Sequence, residues 1–150
     1  AGALEMDLSL GNRENALRES LRALVEASGT ELEIRNPEIT VPPPTQMLAI
    51  FQIAHEAAAN AITHGAADHV IVTLLEADGG YRMDVVDDGT GAPAECLAPR
   101  PGHLGMRAMR VHAERVGGTL ELSSTLGRGV TVTAWVPGDI SIELGGRRQT

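Results

Sequence analysis

The stretch from Gln46 to Gly65, QMLAIFQIAHEAAANAITHG, limits what this chain can become more than any other. Leu48, Phe51, Ala54, Ala58 and Ile62 recur at steps of three and four, the period of a helix that lays one side on a core. On the other side Glu56 and Asn60 stand four apart and so share a face, with Thr63 and His64 one turn further on. Alanine at positions 57, 58, 59 and 61 raises helix propensity and keeps the surface low enough for close approach. A glutamate and an asparagine one turn apart are ordinarily just solvated. An acid and an amide on so thin a surface also suit a hydrated divalent cation, and the stretches that follow decide between these meanings.

Upstream, residues 1–11 read as a linker or the remnant of a preceding helical domain. Asn12 is a candidate cap for a helix through Ala27, with Leu17, Leu21, Leu24 and Val25 as its apolar positions and Gly29 at its end. Thr30 to Arg35 alternates Leu32 and Ile34 with charges, a half-exposed strand. Pro42, Pro43 and Pro44 break regular structure before the central helix, for which Thr45 is the expected cap.

Downstream, VIVTLLE (Val70 to Glu76) and YRMDVV (Tyr81 to Val86) are β-rich runs joined by Ala-Asp-Gly-Gly, a hairpin pattern. The second run enters Asp87-Asp88-Gly89-Thr90-Gly91, where glycines two apart allow a tight turn and close approach of a ligand to the backbone. After a loop from Ala92 to Pro101, Gly102-His103-Leu104-Gly105 opens a helix to about Val116, with Leu104, Met109 and Val111 as core contacts and Gly117-Gly118 as its close. Thr119 to Ser124 and Gly129 to Val136 are the last strands, and residues 138–150 form a loose tail. The expected domain is therefore 12–137. Its fold class is α/β in the α+β sense: a two-layer sandwich of a mostly antiparallel mixed sheet with helices on one face, since most strand connections are too short for parallel crossovers.

Composition narrows the function. Twenty acids against twelve bases give a net charge of −8, which repels nucleic-acid backbones and anionic lipid. Aromatic residues are 2% of the chain, too few for base-stacking platforms. We expect no nucleic-acid partner and no direct membrane contact. All twelve cations are arginine, so a phosphate site must rely on backbone N–H groups, helix N-termini, a metal or arginine. The lone Cys96 excludes an internal disulfide and fits a reducing, cytoplasmic setting, even for a parent protein anchored in a membrane.

Three motifs stand in order: HEAAANAITHG (His55 to Gly65), DDGTG (Asp87 to Gly91) and GHLGM (Gly102 to Met106), followed by LGRGVTV (Leu126 to Val132). Together they resemble the N, G1, G2 and G3 boxes of the Bergerat-fold nucleotide-binding superfamily, which includes DNA gyrase, the heat-shock chaperone ATPases and histidine kinases. The HExxxNAxxHG form and the GHLGMRAMRVHAERVGGTLELSS continuation look most like the catalytic and ATP-binding domain of nitrate-sensor-type histidine kinases. The resemblance implies ATP and Mg²⁺ as cofactors and a protein-histidine kinase activity. Its implied partners are a histidine-bearing dimerisation domain, absent from this chain, and a response regulator downstream.

Residue by residue, the resemblance implies that Asn60 ligates Mg²⁺, with Glu56 on the same face as base or water-orienting group and second metal contact. His64 flanks the phosphates. Asp87 accepts the adenine amino group, and Gly89 and Gly91 let the base lie against backbone. Gly102, His103, Leu104, Gly105 and Met106 offer helix-opening N–H groups to the triphosphate. Thr131 either touches the base or is simply a strand residue. Asp88, where many relatives have Asn, caps backbone or stays solvated. Departures from the pattern are Thr63, where many kinases carry a cation, and the lack of a phosphoacceptor helix before the first box. Alternatives are an anti-sigma-factor type serine kinase and a Bergerat-fold ATPase. The proline-bearing loop 92–101, with Arg100, is expected to act as a lid over the nucleotide.

Overall fold

The computed structural model describes residues 19, 21–35, 40, 42–90, 104–125 and 127–138. The expectations for Asn12, for residues 1–11, for the loop 92–101 and for the tail beyond Gly138 lie outside them.

Helix α1 covers residues 21–28 and ends where the Gly29 N–H returns to the Val25 carbonyl at 2.9 Å. Strand β1 (Glu31–Arg35) leads to helix α2 (Pro44–Thr63), then to strands β2 (His69–Ala77) and β3 (Gly80–Asp87). Helix α3 (Leu104–Arg115) and strands β4 (Thr119–Thr125) and β5 (Gly129–Pro137) complete the order. The five strands form one sheet in the order β1-β2-β3-β5-β4. β1 and β2 are parallel, which α2 permits because it supplies the long crossover such a pair needs. The other pairs are antiparallel. The β2–β3 connection is a two-residue turn, Asp78-Gly79, with φ of 53° and 77° at its two residues, which matches the twist of the strands it joins. The expected mostly antiparallel mixed sheet, with helices on one face, is the observed architecture.

Helix α2 does not begin with a Thr45 cap. Pro44 is its first residue, where the missing N–H has no helical partner to lose and the fixed φ suits the first turn. The Thr45 hydroxyl donates to its neighbour Gln46, whose fully buried side chain donates in turn to the Pro137 carbonyl at 3.0 Å.

The core face of α2 also differs from the expected one. Ile50, Ile53, Ala54, Ala57, Ala58 and Ala61 are buried in the core shared with the sheet and Met47 is buried too, whereas Leu48 is 56% exposed and Phe51 and Ile62 are half-buried. The helix carries two overlapping apolar stripes one residue apart, both at the 3.6-residue period, and periodicity alone cannot choose between them. In α3 the expected contact Met109 is buried, but Val111 is 42% exposed, and the inward face runs through Met106, Met109, Ala113 and Val116. Leu48→Ala is therefore expected to change stability in urea unfolding by no more than about 0.5 kcal/mol, as surface substitutions do. A loss of several times that would restore the original stripe.

Strand alternation fixes the two faces of the sheet. Val70, Val72 and Leu74 of β2, Tyr81, Met83, Val85 and Asp87 of β3, and Val132, Ala134 and Val136 of β5 are buried on the helix side. Ile71, Val86 and Thr131 lie on the other side, a consequence of the two-residue period.

Candidate functional site

The helix-side end of β3 is where separate parts of the chain converge. Asp87, its last residue, is only 8% exposed. Its Oδ1 accepts N–H bonds from Gly89 at 2.8 Å and from Val130 at 3.3 Å. Its Oδ2 accepts no bond from a described residue. Burial raises the Asp87 pKa above the ordinary carboxylate value, opposed by the Gly89 and Val130 N–H groups and reinforced by the Asp88 charge. A buried carboxylate with one oxygen anchored and the other unused is a ready acceptor for an N–H from a ligand.

Backbone meets backbone around this carboxylate. The Thr90 N–H donates to the Gly65 carbonyl just beyond α2 at 2.8 Å, and the Gly127 N–H donates to the Thr90 carbonyl at 2.5 Å. A Cβ on Gly89 would lie 2.5 Å from the Gly65 oxygen. Gly129 has φ +96°, and a Cβ there would meet the Asp87 carbonyl oxygen. The glycines of three widely separated motifs are thus needed where those motifs touch.

On α2, Glu56 and Asn60 are both half-buried, and Thr63 and His64 are exposed at its end. His64 follows the last helical residue, its N–H returning to the Asn60 carbonyl at 2.9 Å. Within electrostatic reach of Glu56 is a group that sequence reasoning did not single out, His112 of α3, the helix packed on α2. Its Nδ1 is buried with no hydrogen-bond partner among the described residues, and its pKa is lowered by burial first and by Arg115 second, against the opposing pull of Glu56. Helical spacing alone could not announce it, because the meeting depends on how α3 packs on α2.

The remaining expected residues divide. Leu104 and Gly105 are the first described residues of α3, and Met106 is half-buried against the core. Gly91, Gly102 and His103 lie outside the described residues. Thr131 is not brought to the site: it pairs with Val86 and Ser123 on the far side of the sheet, and its neighbour Val130 reaches Asp87 instead, through the backbone. Asp88 is a backbone cap, as one of the two expectations had it. Its Oδ1 accepts from the N–H groups of Asp68 at 2.9 Å and His69 at 2.8 Å.

The donor chemistry fits a nucleotide with a divalent cation. Among the described residues no group of three or more His, Cys, Asp and Glu side chains could hold a metal alone. One amide and one carboxylate on α2 match a cation that keeps waters and shares the oxygens of a phosphate chain.

The comparisons agree with this geometry. Residues 45–140 match the family model described as histidine kinase-, DNA gyrase B- and HSP90-like ATPase. The nitrate/nitrite sensor protein NarQ of Escherichia coli is 34% identical over 131 residues, 85% of this chain; the chain spans 23% of NarQ's length. The sensor histidine kinase YhcY of Bacillus subtilis is 26% identical over 90% of this chain and 35% of its own length. In structure, the histidine kinase domain of the Erythrobacter litoralis blue-light activated histidine kinase superposes with a TM-score of 0.70. It is 24% identical and covers 84% of this chain and 61% of that one, a likeness of fold. The chain belongs to the family of histidine kinase-, DNA gyrase B- and HSP90-like ATPases, as an ATP-binding domain of the kind found in sensor histidine kinases.

Proposed function

We propose that this chain is the catalytic domain of a sensor kinase, passing the γ-phosphoryl group of ATP to a histidine on a separate dimerisation domain, from which a response regulator is served. The observation that carries the reading is the buried Asp87 carboxylate, anchored through Oδ1 and walled by backbone from the turns at Gly65, Gly89 and Gly129. That pocket end takes a flat base with an exocyclic amino group: adenine donates an N–H to Asp87 Oδ2, whereas guanine presents a carbonyl to the carboxylate.

Bound ATP supplies the transferable phosphoryl group and Mg²⁺ neutralises charge on its oxygens. The chain's own residues bind and orient. Asn60 would offer an amide oxygen to the cation, and Glu56, on the same face, would accept a hydrogen bond from a water of the site. His64 and the N–H groups of Leu104, Gly105 and Met106 would serve the phosphates, with Gly91, Gly102 and His103 proposed as further contacts. Such a domain works in the cytoplasm, where ATP and the regulator are.

Labelled ATP, mixed with this chain and a histidine-bearing helical domain in trans, should yield acid-labile phosphohistidine on the helical domain. Phosphate released at an unchanged rate, with none transferred, would mean an ATPase instead. Asn60→Ala should fold normally, since alanine suits a helix interior, and lose the Mg²⁺-dependent part of ATP affinity, about tenfold. Equal enhancement by Mg²⁺ in variant and parent would place the metal elsewhere.

A further inference from the structure

The ladder between β2 and β3 ends at the pair Val70–Asp87, so the base-pocket carboxylate sits on the last paired residue of its strand. One residue later, Asp88 carries on the connection by side chain. Its Oδ1 holds the Asp68 and His69 N–H groups, its Oδ2 pairs with His69 Nδ1 at 2.7 Å, and its own N–H reaches the His69 carbonyl at a long 3.3 Å. The side-chain bonds are the shorter ones. The segment 87–90 is thus pinned on one side by Asp68 and His69 and on the other by Gly65, Gly127 and Val130.

We propose that His69 and Asp88 are positioning residues for the base pocket: their contact holds the end of β3 so that Asp87 faces the adenine edge, and protonation of His69 tightens that hold. The inference rests on the assignment of Asp87 to the base. The groups facing His69 are Asp88 at the end of β3, Glu31 of β1 with Oε1 3.6 Å from Nε2, and Asp68 in the preceding turn. All are acidic. Imidazolium donates from Nδ1 to Asp88 and carries a positive charge that Asp88 and Glu31 share, whereas neutral imidazole keeps at most the Nδ1–H bond and loses the attraction of the charge. In keeping with this, the hydrogen bond to Asp88 raises the His69 pKa, and the same bond lowers that of Asp88. His69 contributes through this contact below its ordinary pKa, and the contribution is lost as pH rises through its raised value. Because the pair is exposed, salt weakens the effect. A pocket competent for only part of the time binds more weakly in proportion to that fraction.

The test measures dissociation constants of ATP and GTP from pH 5.5 to 8.5 for the parent chain, His69→Gln, Asp88→Ala and Asp87→Asn, with melting temperatures of the free proteins alongside. Because the two nucleotides share their phosphates, the ratio of their constants cancels phosphate titration. The parent's preference for ATP should fall about threefold as pH rises through the His69 pKa, while His69→Gln stays flat at the lower value. Asp88→Ala should lose about tenfold in ATP affinity and much less for GTP. Should His69→Gln follow the parent's pH profile, or the variants shift only their melting temperatures, the positioning role is overturned. Asp87→Asn separates the two layers: if it binds ATP like the parent, the base assignment fails; if it weakens binding while His69→Gln tracks the parent, only the positioning role fails.

Discussion

Asp87→Asn is expected to weaken ATP binding by ~1–3 kcal/mol, roughly 5- to 150-fold, without weakening the fold. The amide oxygen of asparagine keeps the bonds from the Gly89 and Val130 N–H groups, which already converge on one oxygen of the carboxylate. The amide NH₂ then occupies the place of Oδ2 and meets the adenine amino group donor to donor. For the free protein the sign runs the other way. Burial raises the Asp87 pKa above its ordinary value near 3.8, so its contribution to stability is complete below that value and is lost as pH rises through the folded one. Above that folded value the ionised carboxylate is held at a cost, which a neutral amide removes. Calorimetric titration of ATP and a thermal melt of the same sample should show affinity falling while the melting temperature holds or rises. Unchanged affinity would show that the base is bound elsewhere.

Gly129→Ala should be the most damaging single-atom change at the site. The residue has φ +96°, strained for any side chain, and its Cβ would meet the Asp87 carbonyl oxygen. That carbonyl cannot retreat freely, because the β3–β5 ladder begins at the adjacent pair Val86–Thr131. Backbone strain of about 1–3 kcal/mol and overpacking of a similar size together give roughly 2–6 kcal/mol, against a typical total of 5–15. Gly127→Ala is the control, since its φ of +83° is also left-handed but no described residue lies within 4 Å of the added methyl. It should cost only about 1–2 kcal/mol. Urea unfolding of both variants checks the contrast, and equal losses would mean that the contact with Asp87 is irrelevant.

These effects meet at a place that local sequence signals and tertiary structure define to different degrees. The hairpin around Asp78-Gly79, the body of the long helix from Gln46, the glycine turn after Asp87 and the helix that follows Gly102 in sequence are legible because turn chemistry and helical or strand periods act over a few residues, whereas the first helical turn at Pro44, which reads as a break, is not. The joint order of glycine motifs adds the family, and with it Asp87, Glu56 and Asn60 as the residues to inspect. Which stripe of α2 is buried is not legible: Leu48 and Met47 both fit the helical period, and only the packing of Ile50 and Ile53 into the core selects between them.

The same holds at the far end of the chain. Thr131 and Val130 are neighbours in one strand, and the register of β5 against β3 alone puts Val130 beside Asp87 and turns Thr131 to the other face. The sequence by itself determined most of the elements, their order and the chemical types gathered at the candidate site, because those depend on neighbours along the chain. The meeting of Gly65, Gly89 and Gly129, the burial of Asp87, the placing of His112 near Glu56 and the pairing of His69 with Asp88 were decided only by the tertiary structure. Each depends on contacts between stretches 19 or more residues apart, which no local period encodes.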